Sequence, residues 1–195
     1  MASLQALFET VVTDREPAQE PKIALLMWWA ARLSEQGFTP SYGPGDHGNL
    51  SCRMPDGCLI TARETVKAIL RPEEVMYVHG VDRTGAIPKV LSRGPRLPST
   101  DTLLHLRIYE TRPDVEAIIH GHDMQALSRF AELKLPRTSH AVPSLTVELI
   151  EEICALAHQH DYVLMRDHGF LALGRTIDAA GELFRRVART VRSLP

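Results

Sequence analysis

Apolar and polar positions along the chain switch between two periods, and the switch points outline the elements. Positions 22–36 carry Ile23, Leu26, Met27, Ala30 and Leu33 at the three-to-four spacing of a helix with one buried face. Gly37 follows where a left-handed residue closes a helix. Upstream, 3–12 reads as a short helix and the polar, proline-bearing stretch 13–21 as a linker. Downstream, a glycine- and proline-rich loop, 41–48, leads into two short runs, 49–53 and 57–61. Pro55 and the Asp56-Gly57 pair between them predict a hairpin. A third strand is expected from Val75 to His79, and a fourth from Lys89 to Ser92.

The second half repeats the alternation. Pro98 precedes a helix over 99–111, capped by Ser99 or Thr100 and stopped at Arg112-Pro113. A buried strand follows at 115–121, then a helix over 123–132 capped by Asp123. The helix at 146–159 places Glu148, Glu151 and Glu152 toward its N-terminal half, where its dipole favours them. Strands at 162–166 and 170–174 flank the turn Asp167-His168-Gly169. A last helix, 176–191, begins at Thr176 and carries Arg185, Arg186, Arg189 and Arg192 in its second half. Hairpins mixed with helices predict the α/β class, with helices layered on a mixed or antiparallel sheet. The expected division is an N-terminal helix and linker over 1–20 and one domain over 21–195.

Composition narrows the function classes. The 195 residues are 44% hydrophobic, enough for one real core, and their near-neutral balance, net charge -2, lacks the basic excess of a general nucleic-acid binder. The 3 cysteines cannot form a disulfide framework, and Cys52 and Cys58 at strand positions read as small buried residues. No apolar run approaches the roughly 18 residues of a membrane span. The N-terminus carries acids and no basic leader region. A cytoplasmic protein acting away from membranes is expected.

The 9 histidines are more than packing usually requires. His120 and His122, two apart at a strand end, point to one face and can reach one metal ion. His168, in a tight turn between strands, is the natural third ligand. Three histidines leave a fourth place open for water or substrate, as in catalytic zinc sites, and imidazole also suits other first-row divalent metals. Asp101, at the start of the 99–111 helix, is the candidate acid/base, with Ser99 and Thr100 at the same N-terminus suited to an anion. Gly48 lets a ligand approach the backbone, and the Asn49 amide can hold a substrate oxygen. Each has a plain alternative: a surface turn histidine, a helix-start acid, ordinary caps, a loop-to-strand turn. His105, His158 and His160 fall on helices as packing or surface residues.

Taken in order, Gly48-Asn49-Leu50-Ser51, Pro98-Ser99-Thr100-Asp101, His105, Arg112-Pro113-Asp114-Val115, His120-Gly121-His122 and Asp167-His168-Gly169 resemble the class II aldolase/adducin superfamily over about residues 20–192. The resemblance implies a three-layer αβα fold with a central, largely antiparallel sheet, and a cyclic homotetramer with sites between subunits. It implies zinc on His120, His122 and His168, Asp101 as the acid/base, and Gly48, Asn49, Ser99 and Thr100 as substrate and phosphate contacts. The activity implied is that of a metal-dependent lyase, cleaving a small ketose, sugar phosphate or sugar acid by a retro-aldol reaction through a metal-stabilised enediolate. A 4-epimerase, dehydratase or decarboxylase would use the same chemistry, and an adducin-like assembly protein would use none of it. The chain also departs from the pattern. A phosphate-binding Ser/Thr-Gly pair is replaced within Ala62-Arg63-Glu64-Thr65, where Glu64 takes the glycine's place and Arg63 could attract an anion. The family's catalytic tyrosine is missing near 137–142, where His140 is the candidate substitute donor.

Overall fold

Strands that are apolar at almost every position need cover on both faces. The computed structural model of the chain describes residues 7–141 and 145–194 and has that architecture. Its strands are β1 (Glu9–Asp14), β2 (Asn49–Met54), β3 (Gly57–Thr61), β4 (Val75–Asp82), β5 (Lys89–Arg93), β6 (Ala117–Gly121), β7 (Tyr162–Met165) and β8 (Gly169–Gly174). They form one sheet in the order β1-β5-β4-β3-β2-β6-β8-β7. Every neighbouring pair is antiparallel except β1 with β5.

Because successive residues of a strand face opposite sides, each strand feeds two cores. On β8, Phe170 and Ala172 join Leu26, Trp29 and Leu33 of α1 (Lys22–Glu35) and Phe184 of α5 (Ile177–Ser193). Leu171 and Leu173 join Leu104 and Ile108 of α2 (Thr102–Thr111) and Ile153 of α4 (Val147–Ala157). The result is the expected three-layer α/β/α arrangement. The buried Trp29 ring packs on α5 because position 181 is glycine: a Cβ there would stand 2.3 Å from the indole. Its Nε1–H donates to Asp178 at 2.7 Å.

Three expectations need correction. Residues 9–12 are not helical but lie in β1, where the β-branched run Thr10-Val11-Val12 adds an edge to β5. The helix expected from 99 begins at Thr102, so Asp101 occupies the cap position rather than the first turn, and its carboxylate caps nothing. The helix expected over 123–132 is only α3 (Met124–Ser128), although Asp123 caps it by accepting from the Gln125 and Ala126 N–H groups.

The register gathers the sequence motifs at one end of the sheet. Asn49 at the start of β2 lies opposite His120 near the end of β6, and Gly121 lies opposite Phe170 at the start of β8. The segment before α2 is tied to the end of β3 by a bridge between Ala62 and Pro98 and by the Ser99 N–H donating to the Thr61 carbonyl at 3.2 Å.

Candidate metal centre and active site

Three imidazoles meet at this sheet end. His120 is buried on β6 and donates its Nδ1–H to the Phe170 carbonyl at 2.9 Å. That bond fixes the tautomer and turns the Nε2 lone pair outward. His168 rides on the turn between β7 and β8, its N–H donating to the Met165 carbonyl at 3.1 Å. Asp167 takes the left-handed φ of +56° that this turn requires. Gly169 is required beside it, since a Cβ would fall 2.4 Å from the Gly121 carbonyl oxygen. His122 lies just past β6, held by its N–H donating to the Phe38 carbonyl at 2.8 Å. One nitrogen from each ring lies within 4.8 Å of the others.

The donor set fits a divalent first-row ion. Two nitrogens sharing a tetrahedral ion at about 2.0–2.1 Å stand about 3.3–3.4 Å apart. The Nε2 atoms of His120 and His168 are 3.3 Å apart. A metal takes the neutral imidazole, and the surroundings keep all three neutral. Burial, reinforced by the neighbouring His168, holds His120 well below the usual histidine range. Burial, then His120, takes His122 to about 2. Burial lowers His168, against the pull of Asp101.

A carboxylate stands beside this cluster. Asp101 Oδ2 lies 3.9 Å from His120 Nε2 and accepts from Asn49 Nδ2 at 2.6 Å. Among the described residues Oδ1 has only a 3.5 Å contact from the Thr100 hydroxyl, so one oxygen is held and the other is nearly free. The Ser99 hydroxyl accepts from the Asp101 N–H at 3.2 Å and sets the turn. Asn49 Oδ1 is buried with no protein partner among the described residues, a state that costs free energy until something donates to it. Gly48 takes φ +83°, and a Cβ would stand 2.8 Å from the His120 carbonyl oxygen. The structure therefore places His120, His122, His168, Asp101, Asn49, Gly48, Ser99 and Thr100 in one neighbourhood.

Other neighbours were not assigned from the sequence. The His47 ring lies 4.8 Å from that of His122, and Tyr42 lies 4.7 Å from His47, extending the site into the 41–48 loop. That loop is locked to the next by the buried Lys67, whose ammonium donates to the carbonyls of Asp46 and Thr65 and to the Thr65 hydroxyl. Burial takes Lys67 down to about 8, with Asp46 opposing. The density of glycine and proline around 43–48 was the available signal; a single lysine in a polar loop gave none. His140 is exposed, 2.8 Å from the Ser139 hydroxyl and beside Glu152, and it does not join the cluster.

His105 is fully buried, with Nδ1 2.7 Å from the Ser51 hydroxyl. Burial takes it to about 4, Asp101 working weakly the other way. Unfolded, it titrates at about 6.5. Between these values the unfolded chain holds a proton that the fold refuses. This stability is therefore complete above pH 6.5 and falls as pH drops toward 4, by about 3 kcal/mol from this residue. Metal-free His105→Gln should show a smaller drop in melting temperature between pH 7 and 5 than the metal-free parent. Equal drops would contradict the assignment.

A family model described as the Class II Aldolase and Adducin N-terminal domain matches residues 29–194. The 5-methylthioribulose-1-phosphate/5-deoxyribulose-1-phosphate aldolase of Rhodospirillum rubrum is 30% identical over 165 residues, which cover 77% of this chain and 71% of that protein. Methylthioribulose-1-phosphate dehydratase of Methylococcus capsulatus is 28% identical over 179 residues, covering 76% of this chain and 83% of that protein. The fold is similar to that of L-fuculose-1-phosphate aldolase from Thermus thermophilus, with a TM-score of 0.72 at 22% identity over 89% of this chain and 92% of that one. The matched span takes in the three converging imidazoles, Asn49 and Asp101, and on that match the chain belongs to the class II aldolase and adducin family.

Proposed function

We propose that this chain is a divalent-metal-dependent lyase that cleaves a small ketose, sugar phosphate or sugar acid by a retro-aldol reaction. The observation that carries the reading is the convergence of His120, His122 and His168 beside a carboxylate that protein groups leave half free. When bound to the three histidines, zinc or another first-row ion would supply Lewis-acid charge to the substrate's carbonyl and adjacent hydroxyl oxygens. The remaining work belongs to the chain. Asn49 donates from Nδ2 to Asp101 Oδ2 and so holds the carboxylate in place for the substrate. Asp101 accepts the proton of the hydroxyl whose carbon–carbon bond breaks, and returns a proton to the carbon left with the electron pair. Gly48 lets the chain turn against the His120 carbonyl just before Asn49, and Ser99 and Thr100, in the turn before α2, would orient the substrate.

A dehydratase is the second reading, supported by the Methylococcus relative of that name. There the same carboxylate would take a proton from carbon as water leaves. The apolar side chains left exposed at Leu25, Trp28 and Ile69 would suit a subunit interface, and the homotetramer we propose would be measured by light scattering on the purified protein.

Protein purified without chelator should carry about one divalent ion per chain by elemental analysis. It should then be offered phosphorylated and unphosphorylated ketoses and sugar acids, with products followed by mass. Two fragments that sum to the substrate mass support cleavage, and loss of water supports dehydration. Metal-free protein that added metal cannot activate would overturn both and favour an adducin-like assembly role.

A further inference from the structure

Alternate residues of a strand share a face, and so do every fourth residues of a helix. Asn49, Ser51 and Arg53 form such a row on β2, and Asp101, His105 and Tyr109 form one along α2 and its cap. Two strand residues rise about 6.6 Å and four helix residues about 6 Å, so the rows keep step. Hydrogen bonds join them as rungs. Asn49 Nδ2 donates to Asp101 Oδ2 at 2.6 Å. The Ser51 hydroxyl lies 2.7 Å from His105 Nδ1 and 2.7 Å from the Tyr109 hydroxyl. Arg53 Nη2 donates to the Tyr109 carbonyl at 2.8 Å and the Arg112 carbonyl at 2.7 Å, which closes the C-terminal end of α2. The His105 N–H in turn donates to the Asp101 carbonyl at 3.1 Å. Asp101 is thus held at its carboxylate by Asn49 and at its backbone by His105.

The middle rung is a costly way merely to pack a helix. Ser51, His105 and Tyr109 are buried on the side of the sheet where Leu104, Ile108 and Ile118 form an apolar core. His105 Nε2 has no partner among the described residues, so part of its desolvation goes uncompensated. Apolar side chains would hold α2 on the sheet without that cost, but they fix no direction; a bond between a hydroxyl and an imidazole fixes both length and direction. A slide of α2 by about 1 Å would carry Asp101 away from Asn49 and the histidine cluster, and a displacement of that size costs about 10²-fold in rate. We propose that Ser51 and His105 are positioning residues: their bond sets the register of α2 on β2 and so aims the Asp101 carboxylate at the proton it moves. This deepens the lyase reading and rests on it.

Ser51→Ala removes the middle rung and leaves the groups of the site in place. Its kcat should fall about 10- to 100-fold, with KM nearly unchanged and bound metal at the parent level. His105→Leu breaks the same rung from the other side, and the same loss is expected, so either variant that folds serves. Two companions separate aim from general loosening. Tyr109→Phe deletes one hydroxyl of the network and keeps the Ser51–His105 bond, so kcat should stay within about threefold of the parent. Ser51→Ala added to Asp101→Asn should lower kcat by no more than about threefold further, because the group it aims is already disabled. Parent kcat in Ser51→Ala, an equal fall in Tyr109→Phe, or fully multiplicative losses in the double variant would each overturn the proposal and leave the lyase reading standing. If the parent turns over no compound, the lyase reading fails by itself, and crystal structures of metal-loaded parent and Ser51→Ala decide the rest. An Asp101 carboxylate displaced from Asn49 upholds the assignment, and an unmoved one overturns it.

Discussion

Replacing His120 by alanine should leave the protein without bound divalent metal and lower turnover by on the order of 10³-fold or more. The size follows from geometry. His120 Nε2 stands 3.3 Å from His168 Nε2, and its tautomer is fixed by the Phe170 carbonyl. Two remaining imidazoles leave too few ligands for an ion that takes three from protein in catalytic sites. The substitution also removes a hydrogen bond to that carbonyl and opens a void, together a cost of a few kcal/mol. His168→Ala is therefore the companion variant. His168 sits on a turn, is less buried, and its ring nitrogen bonds no group except His120 among the described residues. Elemental analysis, turnover and circular dichroism should show both variants folded, with His168→Ala metal-poor and inactive. Either variant keeping full metal and full activity would remove that residue from the centre.

The sequence displayed the site better than it displayed the sheet edge. His120 and His122 are two apart across the end of β6, so local geometry alone set their common face. His168 needed only the expectation that β7 and β8 form a hairpin, which Asp167-His168-Gly169 announces. Asn49 and Asp101 come from distant segments, and their 2.6 Å bond depends on β2 lying between β3 and β6, a long-range pairing that no local pattern encodes. The same limit explains β1. Its residues are mostly exposed or half-buried, and they become a strand because β5 offers a free edge. It also explains Asp101 at the cap: Ser99 and Thr100 looked like the better caps by type, but the turn made by the Ser99 hydroxyl and the Thr102 hydroxyl delays the helix until 102. His47 and Lys67 were invisible because their roles exist only once two loops touch. Gly45 marks that contact, since a Cβ there would stand 2.6 Å from the Glu64 backbone.

Asp101→Asn should separate proton transfer from metal binding. The amide has nearly the shape of the carboxylate, and its carbonyl oxygen can still accept from Asn49 Nδ2 in place of Oδ2. The three imidazoles are untouched, so metal content should stay at the parent level. What disappears is a base able to take and return a proton at the free oxygen, a role worth about 10²- to 10⁴-fold in rate. The expected result is a fall of that size in kcat with KM nearly unchanged, because the substrate's oxygens still meet the same neighbours. The contrast with His120→Ala is the informative part: one variant loses activity with its metal, the other loses activity while keeping it. If Asp101→Asn retains kcat within about threefold of the parent, the proton moves through another group and Asp101 is a helix-start residue after all. If it loses its metal, the carboxylate, 3.9 Å from His120 Nε2, belongs to the ligand set.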